Sequence, residues 1–307
     1  MNILITGGAG FIGSNIADRY IKEGHKVIIV DDFWSGRKVN IPKNAVFYEL
    51  DIRNPELENI CLDHKIDFIN HQAARGDVRQ SLLIPGEYAD VNIIGGINLL
   101  EIARKQKMKG IIYSSTGGCV YGEPQYVPTD EEHAMQPLDP YGASKSCFEI
   151  YLSAYHKLYG LNFVIFRYAN IYGPRQNPFG EAGVVSIFTS LMLKNEKVII
   201  NGDGKQKRDY LYIDDVVRAN LLALEKIDNQ IYNLGTSIAT DVNEIFDNIK
   251  LITQYNHAPS YGPPKDGEVS RSTLSFKKIK DSWGWYPETD LITGLKSTVN
   301  HISRKEV

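Results

Sequence analysis

Met1-Asn-Ile-Leu-Ile-Thr-Gly-Gly-Ala-Gly-Phe-Ile-Gly-Ser14 opens the chain and decides its fold class. Ile3, Leu4 and Ile5 form the short apolar run expected of a strand buried on both faces. Gly7, Gly10 and Gly13 then form a tight turn, and Phe11, Ile12, Ile16 and Ala17 open a helix. A glycine turn between strand and helix lets backbone N–H groups and the helix N-terminus meet a pyrophosphate. The string satisfies GxGxxG read from Gly8 and GxxGxxG read from Gly7, and spacing alone does not choose between them.

The next apolar run, Val27–Val30, ends in Asp31-Asp32. An acid about twenty residues past the glycines hydrogen-bonds the adenine ribose and disfavours the extra phosphate of NADP. The expected cofactor is therefore NAD.

At 307 residues the chain divides naturally into one large and one small domain. Its net charge is −3 and it has no basic block, so no nucleic-acid footprint is expected. Its longest apolar stretches are strand-sized, which predicts no membrane partner. The amino terminus runs straight into the first strand, which sets the expectation of no signal peptide and a cytoplasmic enzyme. Cys61, Cys119 and Cys147 lack CxxC spacing, and the seven His residues form no ligand pattern, so neither disulfides nor a metal are expected.

Strands are expected at Asn2–Thr6, Lys26–Val30, Ala45–Tyr48, Phe68–Asn70, Gly110–Ser114 and Asn162–Arg167. Helices are expected near Phe11–Glu23, Ser81–Gln106, Tyr141–Leu158 and Asp214–Leu224. This alternation predicts an α/β chain with a Rossmann-type doubly wound parallel sheet and a smaller carboxy-terminal substrate lobe. Residues 1–172 are expected to form the dinucleotide-binding domain, with some later segments returning to it, and 173–307 a discontinuous lobe. Pro259–Gly267, rich in Pro and Gly, is expected to hold no regular structure. Ligands on such sheets bind at the carboxyl ends of the strands. The turn after the first strand, the Ser114–Tyr121 turn and the loop after Arg167 are thus expected to converge.

Tyr141-Gly-Ala-Ser-Lys145 places Tyr and Lys four apart on one helix face. A free tyrosine, with a pKa of about 10, is too weakly acidic to serve as a base near neutrality. A neighbouring ammonium favours the phenolate, as does an oxidised nicotinamide. Lys145 can lower the barrier to ionising Tyr141 and also hydrogen-bond the nicotinamide ribose. Thr116 or Ser115, ending the Ile111–Ser114 run, can share a proton with a substrate hydroxyl undergoing oxidation.

With these motifs the chain resembles the extended short-chain dehydrogenases/reductases, within them the nucleotide-sugar epimerase/dehydratase group. The matching strings run almost end to end: Thr6–Gly13, Asp51-Ile52, His71-Gln-Ala-Ala74, Val91-Asn92, Ser114–Gly122, Tyr141–Lys145, Phe166–Asn170 and Gly202–Asp215. The resemblance settles the glycine register as GxxGxxG. It implies that Asp31 binds the adenosine ribose, that Asp51 and Ile52 flank the adenine, and that Ala73 borders the cofactor. Phe11, Ile12, Asp32, Ser35 and Gly36 are implied to join them, together with Ala74, Asn92, Ser114 and Tyr168.

Related 4,6-dehydratases carry Asp-Glu just after the catalytic Thr, whereas this chain has Gly117-Gly118, which moves no protons. The resemblance therefore implies oxidation and re-reduction at carbon 4 of a UDP-hexose, with NAD regenerated each turnover. Thr116 is the expected proton partner and Ser115 the alternative. The rival expectations are a UDP-glucuronate 4-epimerase, a 4-keto reductase, and a non-catalytic NAD-binding regulator.

The resemblance further implies that Asn170 contacts the substrate diphosphate, that Val184 and Val185 lie along the uridine, and that Arg208 reaches the nucleotide. Relatives usually have Arg-Pro-Gly-Asp where this chain has Lys265-Asp-Gly-Glu268. Lys265 is a point charge and not a fork, so Lys265 and Arg271 both stand as candidates for the diphosphate. Glu268 replaces the family acid that meets the uridine ribose. Ser272 stands where many relatives carry Tyr beside the sugar, and its small side chain predicts room for an N-acetyl group. A homodimer through helices near Val91–Gln106 and Tyr141–Leu158 is implied in the same way.

Overall fold

A computed structural model describes residues 1–179, 183–264 and 269–306. Its main sheet has seven strands. They are β1 (Asn2–Thr6), β2 (Lys26–Asp31), β3 (Val46–Glu49), β4 (Phe68–His71), β5 (Gly110–Thr116), β6 (Phe163–Tyr168) and β11 (Gln230–Leu234). Their spatial order is β11-β6-β5-β4-β1-β2-β3, and β3-β2-β1-β4-β5 run parallel. The order reverses at β1, whose neighbours are β2 and β4. That is the switch point where sheets of this kind bind ligands. Ile3, Leu4, Ile5, Val27, Ile28 and Ile29 are fully buried, which is why these strands read as unbroken apolar runs.

Helices α1 (Phe11–Lys22), α2 (Glu56–His64), α3 (Val78–Leu83), α4 (Pro85–Ala89), α5 (Gly96–Lys105) and α6 (Pro140–Tyr159) accompany the sheet. The apolar pattern over Ser81–Gln106 predicts one helix, but the chain breaks at Ile84 (φ −132°, ψ 54°). Pro85 disfavours a helical residue before it and has no N–H to continue the ladder. From Pro85 the chain winds as α4, a π-helical stretch over Asp90–Gly95, and α5. The π stretch carries Asn92 inward. Its amide donates to the Arg75 carbonyl (3.1 Å) and Ser144 Oγ (2.9 Å), while its oxygen accepts the Arg75 N–H (2.8 Å).

Beyond β6 come β7 (Asn170–Tyr172), α7 (Val184–Leu193), β8 (Ile199–Asn201), β9 (Lys207–Arg208), β10 (Tyr210–Tyr212) and α8 (Ile213–Ala223). After β11 follow β12 (Thr240–Asp241), α9 (Val242–Thr253), β13 (Ser260–Gly262) and β14 (Arg271–Ser272). β13 corrects the expectation that Pro259–Gly267 holds no regular structure. It pairs in parallel with β8, and the Ser260 N–H donates to the Val198 carbonyl at 2.9 Å. Pro259, Pro263 and Pro264 flank the three paired residues and do not occupy them, so no ladder donor is lost.

The chain forms two compact units. The first gathers Met1–Val120, Pro137–Arg167 and Val217–Tyr232, and the second Tyr121–Gln136, Tyr168–Val216 and Asn233–Val307.

Candidate active site

In the first unit the glycine turn is shaped by close backbone approach. Gly7 has φ +69°, and a Cβ there would lie 2.6 Å from the Ala73 nitrogen and 2.8 Å from its Cα. A Cβ on Gly13 would strike the Gly7 carbonyl, so α1 starts directly against the turn. Gly10 is the N-cap of α1, and no side chain caps this helix. Its first-turn donors and the positive end of its dipole are thus available to an anion.

Asp31 closes β2 beside this turn. One carboxylate oxygen accepts the Ala9 N–H (2.9 Å) and the other the Phe33 N–H (2.8 Å). Burial raises its pKa, and those two hydrogen bonds oppose the shift. Each oxygen keeps a lone pair for a ribose hydroxyl. Gly36 lies against the carboxylate, since a Cβ there would be 2.5 Å from Oδ1. An uncapped helix start, a turn closed to side chains and a paired acid at the next strand end together fit a bound dinucleotide. Asp32 is held by Arg75 (2.9 Å), whose guanidinium also lies 4.9 Å from the Trp34 ring centre. Because Asp32 follows β2 and Arg75 follows β4, this bridge passes over the end of β1 between them.

Asp51 is gripped by its neighbour. Arg53 donates Nε to Oδ1 (2.9 Å) and Nη2 to Oδ2 (2.6 Å), which holds the Asp51 carboxyl below its ordinary pKa. Ile52 is buried, and its carbonyl accepts from Asn98 at 2.7 Å. Phe11, Ile12, Ala73 and Ala74 are partly accessible and Ser35 is exposed, in or beside the loops that follow β1, β2 and β4.

Tyr141 and Lys145 lie on α6, whose start is fixed twice. Asp139 accepts the Gly142 N–H (2.7 Å) as N-cap, and Pro140 occupies the first turn. Tyr141 is half-buried there, and its carbonyl accepts from Ser144 Oγ (2.7 Å). Lys145 is only 3% exposed, and its Nζ donates to the Ser114 carbonyl at 2.7 Å. Burial lowers its pKa to about 7, against the pull of Glu149. Ser114 in turn donates Oγ to the His71 carbonyl (3.0 Å). The His71 ring is paired with Thr6 Oγ1 (2.8 Å) and kept neutral by burial, its pKa falling to about 3.

The two candidate hydroxyls at the end of β5 have different surroundings. Ser115 is 3% exposed and donates to the Glu149 carboxylate at 2.5 Å. Thr116 is partly accessible, and its carbonyl accepts the Val120 N–H (3.2 Å) as the Gly117-Gly118 turn folds back. The Ser115 proton is committed to a buried carboxylate, whereas Thr116 is the more accessible of the two hydroxyls.

In the second unit, Asn170 is exposed at the start of β7, where its N–H donates to the Asp209 carbonyl (2.9 Å). Val184 and Val185 form the first turn of α7, Val184 partly accessible and Val185 buried. Arg208, half-buried on β9, stands in register with Ser272 on β14. Ser272 is 7% exposed, so it does not face solvent. Asp209 is buried beside them and accepts from Thr236 and from the Ser237 and Leu274 N–H groups. Burial raises its pKa to about 6. Tyr168 is buried at the end of β6, and Arg271 is exposed. Lys265 and Glu268 lie outside the described residues.

The sequence reading missed Glu149 and Arg167, whose ion pair is buried beside Lys145. The signal was present, because Glu149 stands one helical turn past Lys145. Among the described residues, no helix is long and apolar enough to cross a membrane, and no cluster of three His, Cys, Asp or Glu side chains could hold a metal ion.

The sequence profile of the NAD dependent epimerase/dehydratase family matches residues 3–235. Among solved structures, the chain is similar to a UDP-glucose 4-epimerase of Thermotoga maritima determined with UDP-glucose. The two share 48% identity over the full length of both, with a TM-score of 0.98. It is similar also to the Thermus thermophilus UDP-glucose 4-epimerase in complex with NAD, at 39% identity, full coverage of both chains and a TM-score of 0.94. A third is the UDP-N-acetylglucosamine 4-epimerase of Methanobrevibacter ruminantium, solved with UDP-N-acetylmuramic acid. It is 32% identical, with 99% of this chain and 98% of that one covered and a TM-score of 0.94. The family profile covers most of the chain, including the glycine turn, the strand-end acid and the Tyr–Lys helix, and the solved neighbours match it end to end: this chain belongs to the NAD dependent epimerase/dehydratase family.

Proposed function

We propose that this protein is an NAD-dependent 4-epimerase of UDP-hexoses, interconverting UDP-glucose and UDP-galactose. The observation that carries the reading is the α6–β5 arrangement. Tyr141 and the buried Lys145 share a helix face, Lys145 is anchored on the Ser114 carbonyl, and the following turn is Gly117-Gly118 with no acid to expel a hydroxyl.

Held at the Gly7–Gly13 turn and Asp31, NAD would supply a reversible acceptor for the carbon-4 hydride. Tyr141 removes the 4-hydroxyl proton, with Thr116 sharing it, and later gives it back. Lys145 holds the phenolate by its charge. Because the hydride leaves one face of carbon 4 and returns to the other, the sugar must turn about its link to the diphosphate. The nucleotide therefore has to supply the anchoring energy. We assign that anchoring to Asn170, Val184, Val185, Arg208, Lys265 and Glu268. Cofactor binding is assigned to the Gly7–Gly13 turn, Asp31, Asp32, Ser35, Gly36, Asp51, Ile52, Ala73, Ala74, Asn92, Ser114 and Tyr168. The small Ser272 extends the substrates to UDP-N-acetylglucosamine and UDP-N-acetylgalactosamine.

A cytoplasmic homodimer completes the reading. Exposed Ile94 in the Val91–Gln106 stretch, with Ile150 and Tyr151 on α6, supports pairing of these helices between two copies. The test is to incubate UDP-galactose with purified protein and no added cofactor. UDP-glucose should accumulate to a fixed ratio, and Tyr141→Phe should abolish the conversion. A requirement for added NADPH would point to a reductase. Absence of any bound dinucleotide would end the proposal.

A further inference from the structure

Three elements of the first unit meet at Glu149, one helical turn past Lys145. Glu149 itself is on α6, Ser115 comes from β5 and Arg167 from β6. Glu149 is 2% exposed and its carboxylate is fully engaged. Oε1 accepts from Ser115 Oγ (2.5 Å), Oε2 accepts Arg167 Nη2 (2.7 Å), and Arg167 Nε reaches both oxygens (3.1 and 3.2 Å). Burying an ion pair this deeply is poor economy if stability alone is at stake, since apolar residues of the same volume commonly serve as well.

We propose that Glu149 is a positioning residue for the epimerase reaction: pinned by Ser115 and Arg167, its carboxylate is the fixed negative charge that keeps the buried Lys145 ammonium charged beside Tyr141. The groups facing Lys145 leave that task to Glu149. From α6 come Tyr141 and Glu149 themselves. From β5 come the Ser114 carbonyl and the Tyr113 ring, whose centre lies 4.7 Å from Nζ and whose phenol burial keeps neutral. From β4 comes His71, uncharged at neutrality. From β6 comes Arg167, a second cation, acting across Glu149. The carboxylate is the acid in this set. Burial pulls Lys145 down to about 7 and Glu149 pulls it back up. Removing the carboxylate would push Lys145 lower still, leaving it largely uncharged at neutrality, and the phenolate would lose its partner.

The Ser115 hydrogen bond adds a geometric role. It ties the end of β5, one residue before Thr116, to the helix that carries Tyr141 and Lys145. The hydroxyl and the phenol are thereby held by one carboxylate.

The proposal rests on the catalytic assignment of Tyr141 and Lys145, and the experiment separates the two. Rates of UDP-galactose conversion are measured from pH 6 to 10 for wild type, Lys145→Met, Glu149→Gln and the double variant Glu149→Gln/Arg167→Met. The double variant removes both buried charges together and remains testable if Glu149→Gln alone does not fold. Both Glu149 variants should show the alkaline limb of kcat displaced downward by about one pH unit. At pH 8 kcat should fall about tenfold, with KM for UDP-galactose within twofold of wild type. Glu149→Asp should restore the limb in part. A folded double variant with the wild-type pH profile would overturn the positioning role and leave a structural ion pair. An active Lys145→Met would instead overturn the catalytic assignment beneath it.

Discussion

Gly7, Gly13 and Gly24 allow the steric and conformational demands of the cofactor turn to be measured separately. Gly24 has φ +82° with nothing within 4 Å of a built Cβ, so Gly24→Ala meets only the left-handed backbone penalty. That penalty is about 1–2 kcal/mol, offset by about 0.4–1 kcal/mol of reduced freedom in the unfolded chain. Gly7→Ala meets the same penalty at φ +69° and also places its methyl 2.6 Å from the Ala73 nitrogen. The obstacle is backbone, which cannot rotate aside, so overpacking adds about 1–3 kcal/mol. Gly13→Ala has no φ penalty and isolates the clash with the Gly7 carbonyl. Taking about 2–4 °C of melting temperature per kcal/mol, Gly24→Ala should lower Tm by about 0–6 °C and Gly7→Ala by about 2–18 °C. The assay is thermal unfolding of each variant, paired with the NAD released per protomer on acid denaturation. Gly7→Ala and Gly13→Ala should lose most of their NAD, while Gly24→Ala keeps it. Equal Tm shifts for Gly7→Ala and Gly24→Ala, with full NAD content in both, would refute this account of the turn.

Thr116→Val should lower kcat about ten- to a hundredfold with little change in Tm, because it deletes the accessible hydroxyl at the end of β5. Ser115→Ala should cost about 1–2 kcal/mol of stability, since it removes a donor from a buried carboxylate. If both variants lost activity to the same degree and stability to the same degree, the division of labour between them would be wrong. His71 has its pKa lowered from 6.5 to about 3, so its neutral form contributes stability above pH 6.5 that is lost as pH falls toward 3. Wild type should therefore lose about 1.4 kcal/mol per pH unit more than His71→Asn below pH 6.5, measured by urea midpoints at stepped pH. Parallel stability curves would count against a buried neutral imidazole. Ser272→Tyr should reduce turnover of UDP-N-acetylgalactosamine at least tenfold relative to UDP-galactose. An unchanged ratio would remove Ser272 from the specificity argument.

Six of the seven strands of the main sheet were legible to within a residue or two, because each is a short apolar run bounded by turn residues, whereas β11 and the short strands of the second unit were not foreseen. β1 runs over Asn2–Thr6 as its composition indicates, and β2 extends its expected span by one residue, Asp31. The place of Asp31 was legible for the same reason, being a carboxylate at the end of a buried strand. What failed was structure set by single backbone groups or by distant partners. One proline splits Ser81–Gln106, and β13 exists because β8 offers it a free edge about sixty residues earlier in the chain, which no local pattern reveals. The choice between Ser115 and Thr116 lies in the same class. Two adjacent hydroxyls point to opposite sides of a strand, and only Glu149 and Arg167, from α6 and β6, show which one is already engaged.

The first unit is assembled from three separated stretches, and this bears on how the chain is made. Tyr20 Oη donates to the Asn220 carbonyl (2.8 Å) and the Asn70 amide to the Asn220 side chain (2.9 Å). Both donors are buried, and each waits for a residue translated long after it. The edge strand β11 arrives later still. A ribosome delivering this polypeptide from its first residue therefore exposes an unfinished sheet through most of elongation. Residues 168–216 must emerge before the strand that completes it.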